Sequence, residues 1–124
     1  MAGFSSFRQF AAWQLAFQLR RTVIPLCLRI RAAKDFEFLR QVREAARSAP
    51  RNIAEGFGRF KHKDFAKFVR IAKASELELL NHFEEAELSG YLSQKERAEL
   101  EHLARKAIKA ANGLIRYLES TPDP

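Results

Sequence analysis

Arg40, Arg43, Arg47 and Arg51 recur at spacings of three, four and four, the repeat of one face of an α-helix. Such a row suits one kind of chemistry. Each guanidinium offers a planar fork of N–H donors that grips a phosphate or carboxylate bidentately, and none loses its charge near neutral pH. Arg59, Lys61, Lys63 and Lys67 extend the positive field just beyond. The ladder therefore reads as a set of phosphate contacts, with the second four in support. The competing reading is a solvated face whose arginines pair with acids of the following helix, such as Glu76 or Glu84. Charge distribution favours anion binding: residues 1–73 hold sixteen basic and five acidic side chains, net +11, and residues 74–124 hold six and ten, net −4.

Catalytic chemistry finds little support. Glu99 and His102 have the Glu-x-x-His spacing of di-iron bundles, but that site needs two such motifs and further inward glutamates. The apolar residues Leu100, Leu103 and Ala107 also turn His102 to the wet side. His62 is expected in a basic turn, and His82, one helical turn after Glu78, in a surface pair. No P-loop, nucleophile elbow, paired-histidine zinc motif or dinucleotide fingerprint occurs. The single cysteine, Cys27, excludes an intramolecular disulfide and is expected as a small buried apolar group. The sequence thus predicts no catalytic residue, no metal and no cofactor.

The elements that must position the arginines are all helical, because glycine and proline are few and clustered and nothing alternates with period two. Helices are expected over residues 7–31, 35–57, 64–88 and 94–119, with a frayed tail at 120–124. The first is apolar over an arc wide enough to want neighbours on two sides, and Pro25 should bend or end it. In the second, Leu39, Val42, Ala46, Ala49, Ile53 and Gly56 make a face of small residues, and Pro50 should bend it. Asn52 and Glu55 are candidates to bond the freed backbone or a neighbouring chain, while Gly56 and Gly58 are expected to give a positive φ at the helix end. Asp64 is expected to cap the third helix, and Ser93 with Glu96 forms a capping box for the fourth. Together they predict a single domain, an up-down-up-down four-helix bundle.

With 47% apolar and 30% charged residues the chain of 124 is that of a folded globular protein. Its longest apolar run, Val23 to Leu28, is far short of the roughly 20 residues that span a bilayer, so no membrane partner is expected. The absence of acids before Asp35 is shared with organellar transit peptides. Trp13, Phe17, Ile24 and Leu28, which a core would want, favour a structural first helix and a cytoplasmic protein.

"QVREAARSAPRNIAEGFGR", "FAKFVRIAKASELEL", "GYLS" and "NGLIRYL", with Trp13 and Ala16 before them, resemble in order and spacing a bacterial family of four-helix-bundle proteins. The family includes 23S rRNA intervening-sequence proteins and the accessory variability proteins of retroelements. The most specific part is Ser48, Pro50, Asn52, Ile53, Ala54, Glu55 and Gly56, followed by Arg59. Ala74 stands where the family often has glycine. The resemblance implies a ring-shaped homopentamer, with the Pro50-to-Gly56 stretch shaping the bundle and its subunit packing. For retroelement members it also implies binding of nucleic acid and of a reverse transcriptase. The sequence is accordingly read as a non-enzymatic homo-oligomer that binds structured RNA or RNA–DNA through its basic face. The alternative is a scaffold that holds a protein such as a reverse transcriptase.

Overall fold

The computed structural model describes residues 3–124, apart from the side chain of Ala32. Four helices carry the fold: α1 (Ala11–Ile30), α2 (Phe36–Phe57), α3 (His62–Leu88) and α4 (Gln94–Ser120). Each is joined to the next by a short turn. α1 packs on α2 and α4, and α3 packs on the same two, which closes an up-down-up-down bundle.

α1 begins later than periodicity suggests. Ser5 and Ser6 donate their N–H groups to Gln9 Oε1 and cap a separate 3-10 turn, Phe7–Gln9. Phe10 then takes an extended conformation, and its ring stacks on Phe4 and meets Phe57 and Phe65 edge-on. That aromatic anchor turns the chain before α1 starts. Pro25 neither ends α1 nor lies in the core. It is exposed, so the Arg21 carbonyl that it deprives of a partner faces the solvent side of the helix.

The core has two contiguous clusters. One surrounds Leu19, Val23, Leu39, Leu79 and Leu100, and the other surrounds Phe65, Val69, Ile53, Ala111 and Leu118. Alanines at Ala16, Ala46, Ala49, Ala72, Ala104, Ala107 and Ala111 are all essentially inaccessible, which lets the four backbones approach closely. On α3, between Ala72 and Leu79, the fully buried position is Glu76. Neither of its carboxylate oxygens has a hydrogen-bond partner among the described residues, and burial pushes its pKa up to about 8.

Side-chain bonds stitch the two ends. At one, Arg29 pairs with Glu96 at 2.5 Å and the Tyr91 hydroxyl donates to Asp35 at 2.8 Å. Glu96 also accepts from the Ser93 N–H in the expected capping box, and these partners pull its carboxyl down to about 2. At the other end α3 starts at His62, two residues before Asp64, and no side chain of the preceding turn caps it. Its cap comes from the chain terminus: the His62 N–H donates to Asp123 Oδ1 at 2.7 Å. The His62 ring donates from Nδ1 to the Thr121 carbonyl at 2.8 Å, since a carbonyl can only accept. The tail expected to fray is thus strapped over α3, and His62, expected in an open turn, is buried. His82 is buried as well, its ring edge-on to Phe38.

Candidate nucleic-acid interface

α2 divides its residues among three tasks. Leu39, Val42, Ala46, Ala49 and Ile53 enter the core as the small-residue face predicts. Ser48 and Asn52 turn toward α3, where Asn52 Nδ2 donates to the Ser48 carbonyl and hydroxyl at 2.8 and 3.0 Å. The Ser48 hydroxyl is hydrogen-bonded to that of Ser75 at 2.7 Å. Asn52 therefore serves a buried link to α3 and not the Ala46 carbonyl freed by Pro50. Gly56 does not take a positive φ. It is helical and buried, and a Cβ there would lie 2.7 Å from Phe65 Cδ1 and from Phe68 Cβ, so its role is close helix contact. Gly58 also keeps a right-handed conformation, with φ −73°. Positive φ occurs instead at Gly90, at +78° in the α3–α4 turn, at Lys34, at +59° in the α1–α2 turn, and at Gly3, at +82°.

The third side of α2 borders α1. A furrow runs between the two helices, one wall made by Trp13, Phe17, Arg20, Ile24 and Leu28 of α1 and by Arg31 just after it. These positions recur every three or four residues and form one stripe. The α2 wall carries Phe36, Arg43, Arg47, Pro50, Arg51 and Ala54. Two hollows lie along it, and Arg47 borders both. In the first, Trp13 and Phe17 stack with centroids 4.7 Å apart and planes 12° from parallel, and Phe7 meets Trp13 edge-on. The Arg20 guanidinium lies 5.7 Å from the Phe17 ring centre. The second hollow is floored by Ile24, Cys27 and Leu39. Burial pushes the Cys27 thiol up, while Arg43 and Arg47 act on it in the opposite direction.

The arginines of the ladder differ in their partners. Arg40 is held by Glu37 at 2.6 Å, which pulls the Glu37 carboxyl down, and Arg51 by Glu44 at 3.0 Å. Both acids lie on α2 itself; Glu76, a suggested partner from the next helix, is sealed in the core. Arg20, Arg31, Arg43 and Arg47 pair with no carboxylate among the described residues. Four unneutralised guanidiniums thus share one furrow.

The supporting residues lie elsewhere. Arg59, at the end of α2, stacks over Phe68 at 4.8 Å and reaches Glu55 at 3.7 Å. Lys61 is exposed in the α2–α3 turn and Lys67 is exposed on α3. Lys63 borders a different hollow with Arg70, against the end of α4, so the positive field is not one continuous strip. Arg20 and Arg31 escaped the sequence reading of the ladder because they sit on another helix. Their signal was the acid-free first 34 residues.

Among the described residues no three His, Cys, Asp or Glu side chains gather as metal ligands, and no helix is long and apolar enough to cross a membrane. The furrow can therefore offer anions a set of guanidiniums. A search of curated proteins finds no match to this chain. A family model described as 23S rRNA-intervening sequence protein matches residues 8–113. The chain belongs to the 23S rRNA-intervening sequence protein family.

Proposed function

We propose that this protein is a non-enzymatic, cytoplasmic homo-oligomer that binds nucleic acid, structured RNA or RNA–DNA species, through the α1–α2 face. The observation that carries this reading is the convergence of Arg20, Arg31, Arg43 and Arg47 on one furrow with no carboxylate to neutralise them. Unpaired guanidiniums keep their charge available for phosphates, whereas Arg40 and Arg51 must first give up a carboxylate. A ring of five subunits, which the family resemblance implies, repeats the face around an axis and multiplies weak contacts.

A second reading, a scaffold for a protein such as a reverse transcriptase, draws support from the large apolar side chains at the surface. Leu28 is 70% exposed, Phe36 57% and Phe60 69%. Such residues are common at interfaces with protein partners.

Fluorescence anisotropy of a labelled hairpin RNA and of a matched DNA duplex, titrated across a salt series, separates the two. Four phosphate contacts per subunit give a slope of log K against log salt near about −3.6 on duplex DNA. Replacing Arg20, Arg31, Arg43 and Arg47 by glutamine should remove binding while the circular dichroism stays helical. No binding by the unaltered protein at low salt would refute the nucleic-acid reading and leave the scaffold. Sedimentation velocity on the same samples reads the number of subunits.

A further inference from the structure

Arg59, Lys61, Lys63 and Lys67 lie outside the furrow, and the phosphate contacts proposed above leave them unused. Residues 59–67 hold these four cations and a single acid, Asp64. Arg59 stacks over Phe68 and reaches Glu55 at 3.7 Å, whereas the exposed Lys61, Lys63 and Lys67 pair with no carboxylate among the described residues. Between Arg59 and Lys61 stands Phe60, 69% exposed. No other aromatic ring and no guanidinium lies against it among the described residues. Its backbone is set between fixed ends. The Gly58 and Arg59 N–H groups bond the carbonyls of Glu55 and Gly56, those of Asp64 and Phe65 bond the carbonyl of Lys61, and that of His62 is tied to Asp123. The turn thus presents an open ring among unneutralised cations.

We infer that the α2–α3 turn takes an unpaired stretch of nucleic acid, with a base stacked on Phe60 and the flanking phosphates against Lys61, Lys63 and Lys67. Base pairs inside a duplex present edges and backbone. An unpaired base has an open π-face, and an aromatic ring flanked by cations is a recurrent partner for it. The inference rests on the nucleic-acid reading above and adds to the furrow a second contact that selects a strand class. The scaffold reading counts the same ring as a protein contact, which would use its apolar bulk and not its π-face. A lipid surface would do the same, and a single phenylalanine is little apolar area with which to hold a protein at a bilayer.

Because Phe60 is exposed, its replacement should leave the bundle intact, which circular dichroism checks. The whole protein is titrated against a labelled dodecamer of uridine and a labelled RNA duplex, and binding is read by anisotropy. Phe60→Ala should weaken the dodecamer by roughly 5- to 150-fold and change duplex affinity little. Phe60→Leu, which keeps apolar bulk without a π-face, should stay weak, and Phe60→Tyr should bind as the unaltered protein does. Replacing Lys61, Lys63 and Lys67 together by glutamine should flatten the salt slope for the dodecamer by about 2, at roughly 0.7 per phosphate.

Three outcomes overturn the inference, and they are distinguishable. Dodecamer binding unchanged by Phe60→Ala removes the base platform and leaves phosphate binding in the furrow standing. No binding of either oligomer by the unaltered protein removes the nucleic-acid reading with it. Full binding by Phe60→Leu, or altered sedimentation of Phe60→Ala, identifies Phe60 as an apolar contact.

Discussion

Glu76→Gln should stabilise this protein at neutral pH, and the gain should disappear in acid. Glu76 is wholly inaccessible, without a hydrogen-bond partner, and titrates near 8 in the folded state against an ordinary 4.5. Below pH 4.5 the carboxyl is protonated in both states and contributes no pH dependence. Between 4.5 and 8 the unfolded chain has released the proton while the native chain retains it. Stability therefore falls with rising pH by about 1.4 kcal/mol per unit. At pH 7 the accumulated cost is about 3 kcal/mol, and above pH 8 it levels off near 5 kcal/mol. Glutamine keeps the shape and the unbonded polar atoms but cannot ionise, so the difference between the two proteins isolates the proton-linked part. All other ionisable groups are common to both proteins and cancel. Urea denaturation at pH 4, 5.5, 7 and 8.5 measures the difference. At pH 7 the midpoint of thermal unfolding should rise by roughly 10 °C. Equal stability of the two proteins at every pH would refute the reasoning and mean that the carboxylate is solvated or paired in the native molecule.

Gly56→Ala adds a Cβ 2.7 Å from two phenylalanines of α3; the overpacking should cost about 1–3 kcal/mol by urea denaturation, despite the better helix propensity of alanine. Asp123→Ala removes the cap of α3 and should cost about 1 kcal/mol. Its signature is faster hydrogen exchange at the His62 amide, and unchanged exchange there would mean that the strap does not hold in solution.

The bundle was legible because most apolar residues of α2, α3 and α4 keep the helical period and nearly all of those are buried. α1 was harder, for a physical reason. Trp13, Phe17, Ile24 and Leu28 dominate its hydropathy, yet the stripe that enters the core is Ala12, Ala16, Leu19, Val23, Cys27 and Ile30. Alanines that permit close helix contact carry little hydropathic weight, so the larger residues masked the true inward face. The arginine ladder was visible from its spacing, but its division into paired and unpaired members was not. That division depends on Glu37 and Glu44, three and seven residues from their partners, and on Glu76 being sealed inside. The tail strap had no local signal at all, since Asp123 and His62 are 61 residues apart.

The acidic half of the chain bears on what the furrow holds. If copies of the protein docked by charge alone, the carboxylates of α3 and α4 would be the natural partners for Arg43 and Arg47. Most of those carboxylates are already engaged. Glu87 and Glu101 hold Arg97, Glu101 also holds Arg105, Glu96 holds Arg29, and Glu119 holds Arg70. Glu76 is buried, Asp123 caps α3, and Glu78 lies 3.5 Å from His82. Apart from the buried Glu76 and from Asp123, which caps α3, only Asp64, Glu84, Glu85 and Glu99 of the α3 and α4 carboxylates remain without an ion-pair partner among the described residues. Self-docking through the furrow would thus have to rely on these four or break existing contacts, whereas a phosphate backbone brings its own charges. Most arginines outside the furrow hold a carboxylate of the same chain, whereas Arg20, Arg31, Arg43 and Arg47 within it hold none, and that is where an external anion gains most.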